Sequence, residues 1–265
     1  VSEANRELER ELARIARQAG TELRARFGRT RTVTKKGAID LVTDADRAAE
    51  ELILRELAGS FPGTPILAEE SGAIGHPAAG QLRLLVDPLD GTTNYAHAIP
   101  HFSTTIAAVD SAGVLAGVVY DPIRDEMYAG TRGAGAFCNG SPLRIIGDAR
   151  LDDAVLATGF PYDVRARADE VLRRFGQFLQ KARAIRRFGS AALDLAWVAQ
   201  GRYDGYWEGG LKPWDVAAGA LVVSEAGGVV SGFDGEPLDL MGGRCVAASP
   251  GLHAEMMVLT RTSNA

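Results

Sequence analysis

The chain has little of what would staple, anchor or heavily charge it. Only two cysteines occur in 265 residues, Cys138 and Cys245, far apart and without metal-ligand spacing. That excludes a disulfide-built scaffold and a cysteine-held zinc module, and makes a reducing cytoplasm the expected address. No apolar run is long enough for a membrane helix; Val216 to Val223 covers about half the length needed. The opening stretch "VSEANRELERELARIARQAG" is charged and helical in pattern, with no apolar secretory core. A basic excess is also missing: 29 Lys and Arg stand against 34 Asp and Glu, for a formal charge of −5. That argues against general nucleic-acid binding, which calls for a basic surplus or a dense basic face. There is no internal repeat, low-complexity tract or long linker. What remains is 46% hydrophobic and 24% charged residues, the balance of a globular protein.

Periodicity supplies the elements. Leu8, Leu12, Ile15, Ala16 and Ala19 recur at helical spacing, predicting an amphipathic helix over 3–27 that Gly28 ends. A second helix starts at "TDADRAAEELILRELAG", with Thr43 as N-cap, Asp46 completing a capping box and Gly59 as its stop. "PILAE", "LRLLVD", "STTIAAVD", "GVLAGVVYD", "EMYAG", "GAFCNG" and "LRII" read as strands, most of them in an antiparallel meander. From about residue 150 strands and helices alternate. "AVLATGF", "AIRRF", "YDGYWE" and "CVAAS" are strands; 166–181, "SAALDLAWVAQG", "PWDVAAGALVVSEAGG" and a segment from Pro250 are helices. The expected architecture is mixed α and β, with an antiparallel-rich first half (1–150) and a layered second half (151–265) sharing one cleft.

Residues 87–94, "DPLDGTTN", carry the strongest chemical signal. "LRLLV" before them is apolar enough for a buried strand, and Pro88 disfavours helix at Asp87, which should therefore be the last extended residue. Pro88 also fixes a sharp turn, so that Asp90 can return to the side of Asp87. Gly91 leaves bare backbone for close approach, and Thr92 or Thr93 can cap a helix whose first amides suit a phosphate. Two like charges ~4 Å apart repel by roughly 4 kcal/mol at an effective dielectric near 20, and a divalent cation removes that repulsion. An Asx-type turn, with both aspartates bonded to backbone, is the alternative for this stretch taken alone. Two further acidic segments change the balance. Glu69 and Glu70 end a strand in "ILAEESG", and Asp215 sits in the first turn of the "PWD" helix, where it also complements the helix dipole. Either could be an ordinary terminus carboxylate, but three acidic segments at element ends fit one shared metal site.

"DLVTDAD", "AEESG", "DPLDGTTN" and "PWDVAAGALVVSEAGG" together resemble the ordered signature motifs of the inositol monophosphatase family. The likeness runs from about residue 30 to 250, and "RRFGSAALDLAWVAQGRYDGYWEGGLKPWD" is similar to its bacterial branch. The resemblance implies a layered αβαβα sandwich of the sugar-phosphatase type, a single catalytic unit over 1–265, and a homodimer. It also implies Mg²⁺-dependent hydrolysis of phosphate monoesters of small polyols, inositol 1-phosphate above all, often inhibited by Li⁺. By motif match, one metal falls to Glu69, Asp87 and the Leu89 carbonyl, and a second to Asp87, Asp90 and Asp215. A third, weaker ion would involve Glu69, and Mn²⁺ could substitute for Mg²⁺. Phosphate contacts are implied for the Gly91 and Thr92 amides. Glu69 and Thr92 would orient and deprotonate the attacking water, with Asp46 supporting Thr92 and Lys35 near the ions. Gly189, Ser190, Ala191 and Glu208 are implied as contacts of the leaving group.

Several of these residues have a plainer reading. Asp46 could be only a helix cap, Lys35 a solvated lysine of a Lys-Lys pair, and Glu208 a loop or buried glutamate. "GAGAFCNG" lacks the following helix of a dinucleotide loop. Pro100 interrupts any helical face shared by His97 and His101, which read as loop or packing residues. Trp197, Trp207 and Trp214 read as core or dimer contacts. Ala68 stands where the family commonly has glycine before its "EE". Sister activities on histidinol phosphate, fructose 1,6-bisphosphate or 3′-phosphoadenosine phosphate share the metal motif. Intact "DGTTN" with Glu208 favours inositol phosphate among them. A different class of reading is a regulatory partner of transcription complexes, docked through Arg183, Arg186 and Arg187; a solvated strand edge is the alternative for that run.

Overall fold

The computed structural model describes residues 2–29, 33–35, 41–76, 78, 80–147 and 149–262; of Val33, Lys35 and Thr262 it describes the backbone alone. Helix α1 (Glu3–Arg26) is capped by Ser2, whose hydroxyl accepts from the Asn5 amide. An antiparallel pair, β1 (Val33–Lys35) and β2 (Leu41–Thr43), leads into α2 (Asp44–Ser60). Then come β3 (Ile66–Ala68), β4 (Gly72–Ile74), β5 (Arg83–Asp90) and the five-residue α3 (Thr92–Ala96). A meander follows: β6 (Ser103–Asp110), β7 (Gly113–Asp121), β8 (Glu126–Thr131), β9 (Gly135–Cys138) and β10 (Ser141–Pro142). The remainder runs β11 (Val155–Thr158), α4 (Ala168–Leu179), β12 (Ala184–Arg186), α5 (Ala191–Gln200) and β13 (Gly205–Gly209). It closes with α6 (Pro213–Glu225), β14 (Val229–Ser231), β15 (Arg244–Ala248) and α7 (Pro250–Thr262).

Two sheets organise these elements, an eight-stranded one in the order β10-β9-β8-β7-β6-β5-β3-β4 and a five-stranded one in the order β12-β11-β13-β15-β14. Helices α1 and α2 cover the outer face of the first, α5 and α6 fill the space between the sheets, and α4 and α7 cover the second. The result is the expected αβαβα sandwich. Strand alternation sorts the side chains into three cores. Leu84 and Val86 meet Leu12, Ile15, Ile53 and Leu57 of the outer helices, while Leu85 between them faces the central layer. In the second sheet Leu156 and Val246 turn to Phe178 and Met256, whereas Ala157 and Ala247 turn inward to α5 and α6. Because both faces of each sheet are covered, the strands read as apolar runs rather than as apolar-polar alternation.

Three sequence expectations are corrected. β5 does not stop at Asp87 but continues through Pro88 to Asp90, with a bulge: Asp87 pairs with Thr105 and Asp90 with Ser103, three steps against two. The bulge, not a sharp turn, offsets the odd spacing that would send the two aspartates to opposite faces. "LRII" is not a strand; pairing with β9 ends at Ser141–Pro142 and a last bond from the Leu143 amide to the Ala136 carbonyl, after which the Ile145 amide turns to the Ala226 carbonyl at the end of α6. Gly59 does not stop α2, which runs on to Ser60 and closes with the Phe61 amide on the Leu57 carbonyl. Strands β1, β2, β4, β10 and β14 have no counterpart in the sequence reading. Both cysteines are buried and unpaired. Among the described residues no helix is long and apolar enough to cross a membrane.

Helix α6 lies at the centre and is buried almost all round, as an apolar helix between two sheets must be. It fits only because its neighbours are small. A Cβ on Gly117 of β7 would stand 2.8 Å from the Ala218 Cα, and one on Gly219 2.7 Å from the Leu195 Cβ. Gly117→Ala should therefore cost about 1–3 kcal/mol through overpacking. Urea unfolding measures this as a lower midpoint with unchanged slope; an unchanged midpoint would mean that α6 is free to shift.

Candidate active site

Four backbone segments meet at one cleft of about 750 Å³, open mouth included, between the ends of β3, β5, β13 and α6. Glu69 follows β3, and its amide continues the ladder by donating to the Val86 carbonyl at 3.1 Å. The turn after it is held by Glu50, a buried residue of α2 whose carboxylate accepts from the Glu70 amide at 2.9 Å and from the Ser71 hydroxyl. Asp87 and Asp90 come from the bulged end of β5, and Asp215 from the first turn of α6. One oxygen of Asp215 accepts from the Lys212 amide at 2.7 Å, so it also caps its own helix. Glu69, Asp87, Leu89, Asp90, Gly91, Thr92, Gly189, Ala191, Glu208 and Asp215 all line the cleft.

The local reasons differ from residue to residue. Asp87 forms the Asx turn weighed above: its Oδ1 accepts from the Leu89 amide at 2.9 Å. Its carboxyl also comes within hydrogen-bonding reach of Glu69. Asp90, on the same cleft, has one oxygen committed to protein donors, accepting from the Ser190 hydroxyl at 2.6 Å and the Ala192 amide at 2.9 Å at the start of α5. Asp90 thereby supplies the N-terminal acceptor that Ser190 does not give its own helix. Ser190 is fully buried and holds Asp90 rather than lining the cleft. Gly91, at φ 98°, is confined where a side chain would go: a Cβ there would stand 3.1 Å from the His101 carbonyl and 3.3 Å from that of Gly189.

Asp46 serves two purposes at once. It completes the capping box with Thr43, accepting from the Thr43 amide at 2.8 Å. Its other oxygen accepts from the Thr92 hydroxyl at 3.0 Å, a hydroxyl equally close to the Leu89 carbonyl. The cap and the support of Thr92 are therefore one residue's work. Lys35 is on β1, and its side chain lies outside the described residues, as does Asp40 of the "DLVTDAD" motif. His97 is exposed at the end of α3, while His101 is buried between the rings of Phe188 and Trp197, both 5.1 Å away. Burial holds the His101 imidazole down to about 4, with Arg124 adding to the effect.

Electrostatics define the floor. Asp87 is pushed well above the usual carboxylate range, first by burial and then by the charges of Glu69, Asp90 and Asp215. Asp215 is pushed up in the same way, by burial and then by Asp90, Glu69 and Glu208. Two carboxyls within hydrogen-bonding reach need a proton or a cation between them. The donors are all hard oxygens with no thiolate or imidazole, a set that suits Mg²⁺ better than zinc. Among the described residues no three His, Cys, Asp or Glu side chains are drawn onto a single coordination point. The carboxylates surround the cleft, with Asp90 and Asp215 partly turned to protein donors.

The opposite wall carries Glu208, whose Oε2 accepts from the Tyr206 hydroxyl at 2.7 Å. Burial raises it to about 7, opposed by Tyr206 and Arg187. Gly159 makes its room: a Cβ there would stand 2.0 Å from the Glu208 Oε2. Arg187, Phe160, Tyr162, Lys212 and Trp214 also line the cleft and were not read as site residues. Trp214 had a signal, lying inside the "PWD" motif. Arg187 had none, being one of three arginines in a run. The structure divides that run, since Arg183 pairs with Asp153 on the surface while Arg187 turns to the cleft.

The chain matches the inositol monophosphatase family over residues 4–264, and it belongs to that family. It is 44% identical over 240 residues to the inositol-1-monophosphatase of Mesorhizobium japonicum, covering 90% of each chain. It is 42% identical over 251 residues to the Nus factor SuhB of Salmonella typhimurium, covering 94% of this chain and 93% of that one. The crystal structure of the extragenic suppressor protein SuhB from Bartonella henselae superposes with a TM-score of 0.91 at 38% identity, covering 96% and 98%.

The crowding of the floor is open to a direct test. With metal removed by chelator, Asp87→Asn keeps the Leu89 contact but deletes one charge, and should raise stability by on the order of 1 kcal/mol. Protonation already relieves part of the ~4 kcal/mol expected at 4 Å. Excess Mg²⁺ should stabilise the unmodified protein by about 2.7 kcal/mol at 100 times its dissociation constant, and the variant far less. Thermal melts in the two buffers measure both differences. A variant weaker than the parent in chelator yet equally responsive to Mg²⁺ would contradict the crowding.

Proposed function

We propose that this chain is a Mg²⁺-dependent phosphatase that hydrolyses inositol 1-phosphate to inositol and phosphate. The observation that carries the reading is the meeting of Glu69, Asp87, Asp90 and Asp215 in one cleft, opposite Glu208, in a member of this family. Glu69, Asp87, the Leu89 carbonyl, Asp90 and Asp215 would hold two or three ions, with Mn²⁺ as a substitute. When bound, Mg²⁺ supplies Lewis-acid polarisation and a lower pKa for water.

The remaining work falls to this chain's own residues. Asp46 and the Leu89 carbonyl fix the Thr92 hydroxyl at 3.0 Å each, so Thr92 is a preset anchor for the attacking water. Glu69, which lines the same cleft, would take the proton. The Gly91 and Thr92 amides receive phosphoryl oxygens, at a Gly91 whose positive φ and neighbouring carbonyls leave little room for a side chain. Glu208 accepts hydrogen bonds from the hydroxyls of the leaving polyol, with Gly189 and Ala191 as its floor. Ser190 acts at one remove by holding Asp90. Intact "DGTTN" together with Glu208 supports inositol phosphate over histidinol phosphate, fructose 1,6-bisphosphate or 3′-phosphoadenosine phosphate. We also expect a homodimer, inhibition by Li⁺ and a cytoplasmic location. Sedimentation as a lone chain would remove the dimer.

The name of the Salmonella relative, a Nus factor, supports a second reading as a binding partner in transcription. Asp87→Asn separates the two: it should abolish phosphate release, and a cellular phenotype that survives the change would favour binding. Thr92→Val should lower kcat by about 10²-fold or more, the scale of one general acid–base element, with KM changed only a few-fold. Released phosphate across the four substrates measures both the variant and the preference. A preference for histidinol phosphate over inositol phosphate rejects the substrate named here.

A further inference from the structure

We propose that Arg187 is a specificity-determining residue of the leaving-group pocket, pairing with Glu208 to read a ring that carries vicinal hydroxyls. This rests on the phosphatase reading and adds a residue to it. Three observations hold the guanidinium at the cleft. Its Nη1 occupies the space over Gly189, where a Cβ would stand 2.4 Å away. Its Cζ lies 5.5 Å from the centre of the Phe160 ring, a face that attracts cations. Glu208 and the fully buried Asp194 both feel its charge. Neither Asp194 oxygen has a hydrogen-bond partner, and its carboxyl lies behind the pocket wall on α5.

Arg187 is nonetheless uncommitted. It makes no ion pair within 4 Å among those described, unlike its neighbour Arg183. Its fork of N–H donors therefore remains for a ligand, in the same cleft as the acceptor oxygens of Glu208. Adjacent hydroxyls on a ring suit such a wall: one donates to Glu208 while its neighbour accepts from Arg187. A leaving group without hydroxyls can use neither. Glycine at 189 is then explained, since its bare face, at φ 83°, admits the guanidinium.

The experiment compares myo-inositol 1-phosphate with p-nitrophenyl phosphate, whose leaving group has no vicinal hydroxyls, in the full chain with Mg²⁺. Arg187→Met should raise KM for the inositol ester about tenfold to a hundredfold, the range of one hydrogen bond to a charged group. KM for the nitrophenyl ester should move less than twofold. Arg187→Lys, which keeps the charge but loses the fork, should fall between. Calorimetric binding of free myo-inositol in the presence of phosphate should weaken in the same order. Parallel losses on both esters would mean a merely structural role, and no loss on either would mean a solvated rim; each overturns the proposal. If the unmodified protein cleaves neither ester, the phosphatase reading fails. Arg187 is then still judged by the calorimetry, where equal inositol binding by all three proteins rejects it.

Discussion

Mutual repulsion among buried carboxylates is the constraint to which the rest of this structure answers. Glu69, Asp87, Asp90 and Asp215 are brought together from segments far apart in the chain, against a Coulombic cost that the hydrogen bonds from the Leu89, Ala192 and Lys212 amides offset only in part. A fold can maintain such a site only if its framework is rigid for other reasons. Here that framework is the pair of sheets with α6 clamped between them. Apolar contacts of α6 with β7 and α5 fix its axis, so the first turn presents Asp215 to the cleft whether or not that is locally favourable. β5 does the same for Asp87 and Asp90, since six consecutive residues of the strand, 84–89, are buried. The bulge then spends one backbone step to turn both aspartates to one side.

The same side chains that crowd the site also tie the layers together. Asp46 closes the first turn of α2 and holds Thr92 on the segment after β5. Asp90 provides the acceptor for the start of α5, joining the first sheet to the central layer. Glu50 reaches from α2 to the turn that follows Glu69. Each of these carboxylates has a hydrogen-bonding duty that would persist without any ligand, which is why they can stay buried. Stability and site geometry are thus coupled through particular residues: loosening α2 moves both Thr92 and Glu69.

Much of this was legible in the sequence. The acidic motifs, the capping box at Thr43 and the central apolar helix are local patterns, and local patterns survive into the fold. So does the sandwich itself, implied by the family resemblance and visible in the change from meander to alternating elements near residue 150. What was illegible depends on distance or on a single backbone step. Pro88 signals a break, but whether the chain turns or bulges is decided by the pairing of β5 with β6 across many residues. "LRII" has strand composition, yet strand pairing stops at Pro142, and Ile146 is left 90% exposed. Arg187 looks like its neighbours Arg183 and Arg186 until Asp153 takes one of them to the surface. Asp194 looks like an ordinary helix residue until both of its oxygens are found buried.

Charge balance explains why the two walls of the cleft need each other. Among the described residues Glu69, Asp87, Asp90, Asp215 and Glu208 line it against Arg187 and Lys212. With every group ionised the cleft would repel a phosphate dianion, since five negative charges face two positive ones at short range in a partly buried space. Raised proton affinity lowers that charge, as the shifts at Asp87, Asp215 and Glu208 show. Protonation, however, also removes the lone pairs that make these residues useful as ligands and acceptors. Cations would resolve both demands, and under the proposed function the two walls would use different ones. On the floor a hard divalent ion would match phosphoryl oxygens and carboxylates. On the wall that carries Glu208 the guanidinium of Arg187, fixed to the chain, would match hydroxyl oxygens. Such a division would separate binding of the reacting group from recognition of the group that leaves. It is consistent with a single sandwich whose central layer, through α5 and α6, contacts both walls.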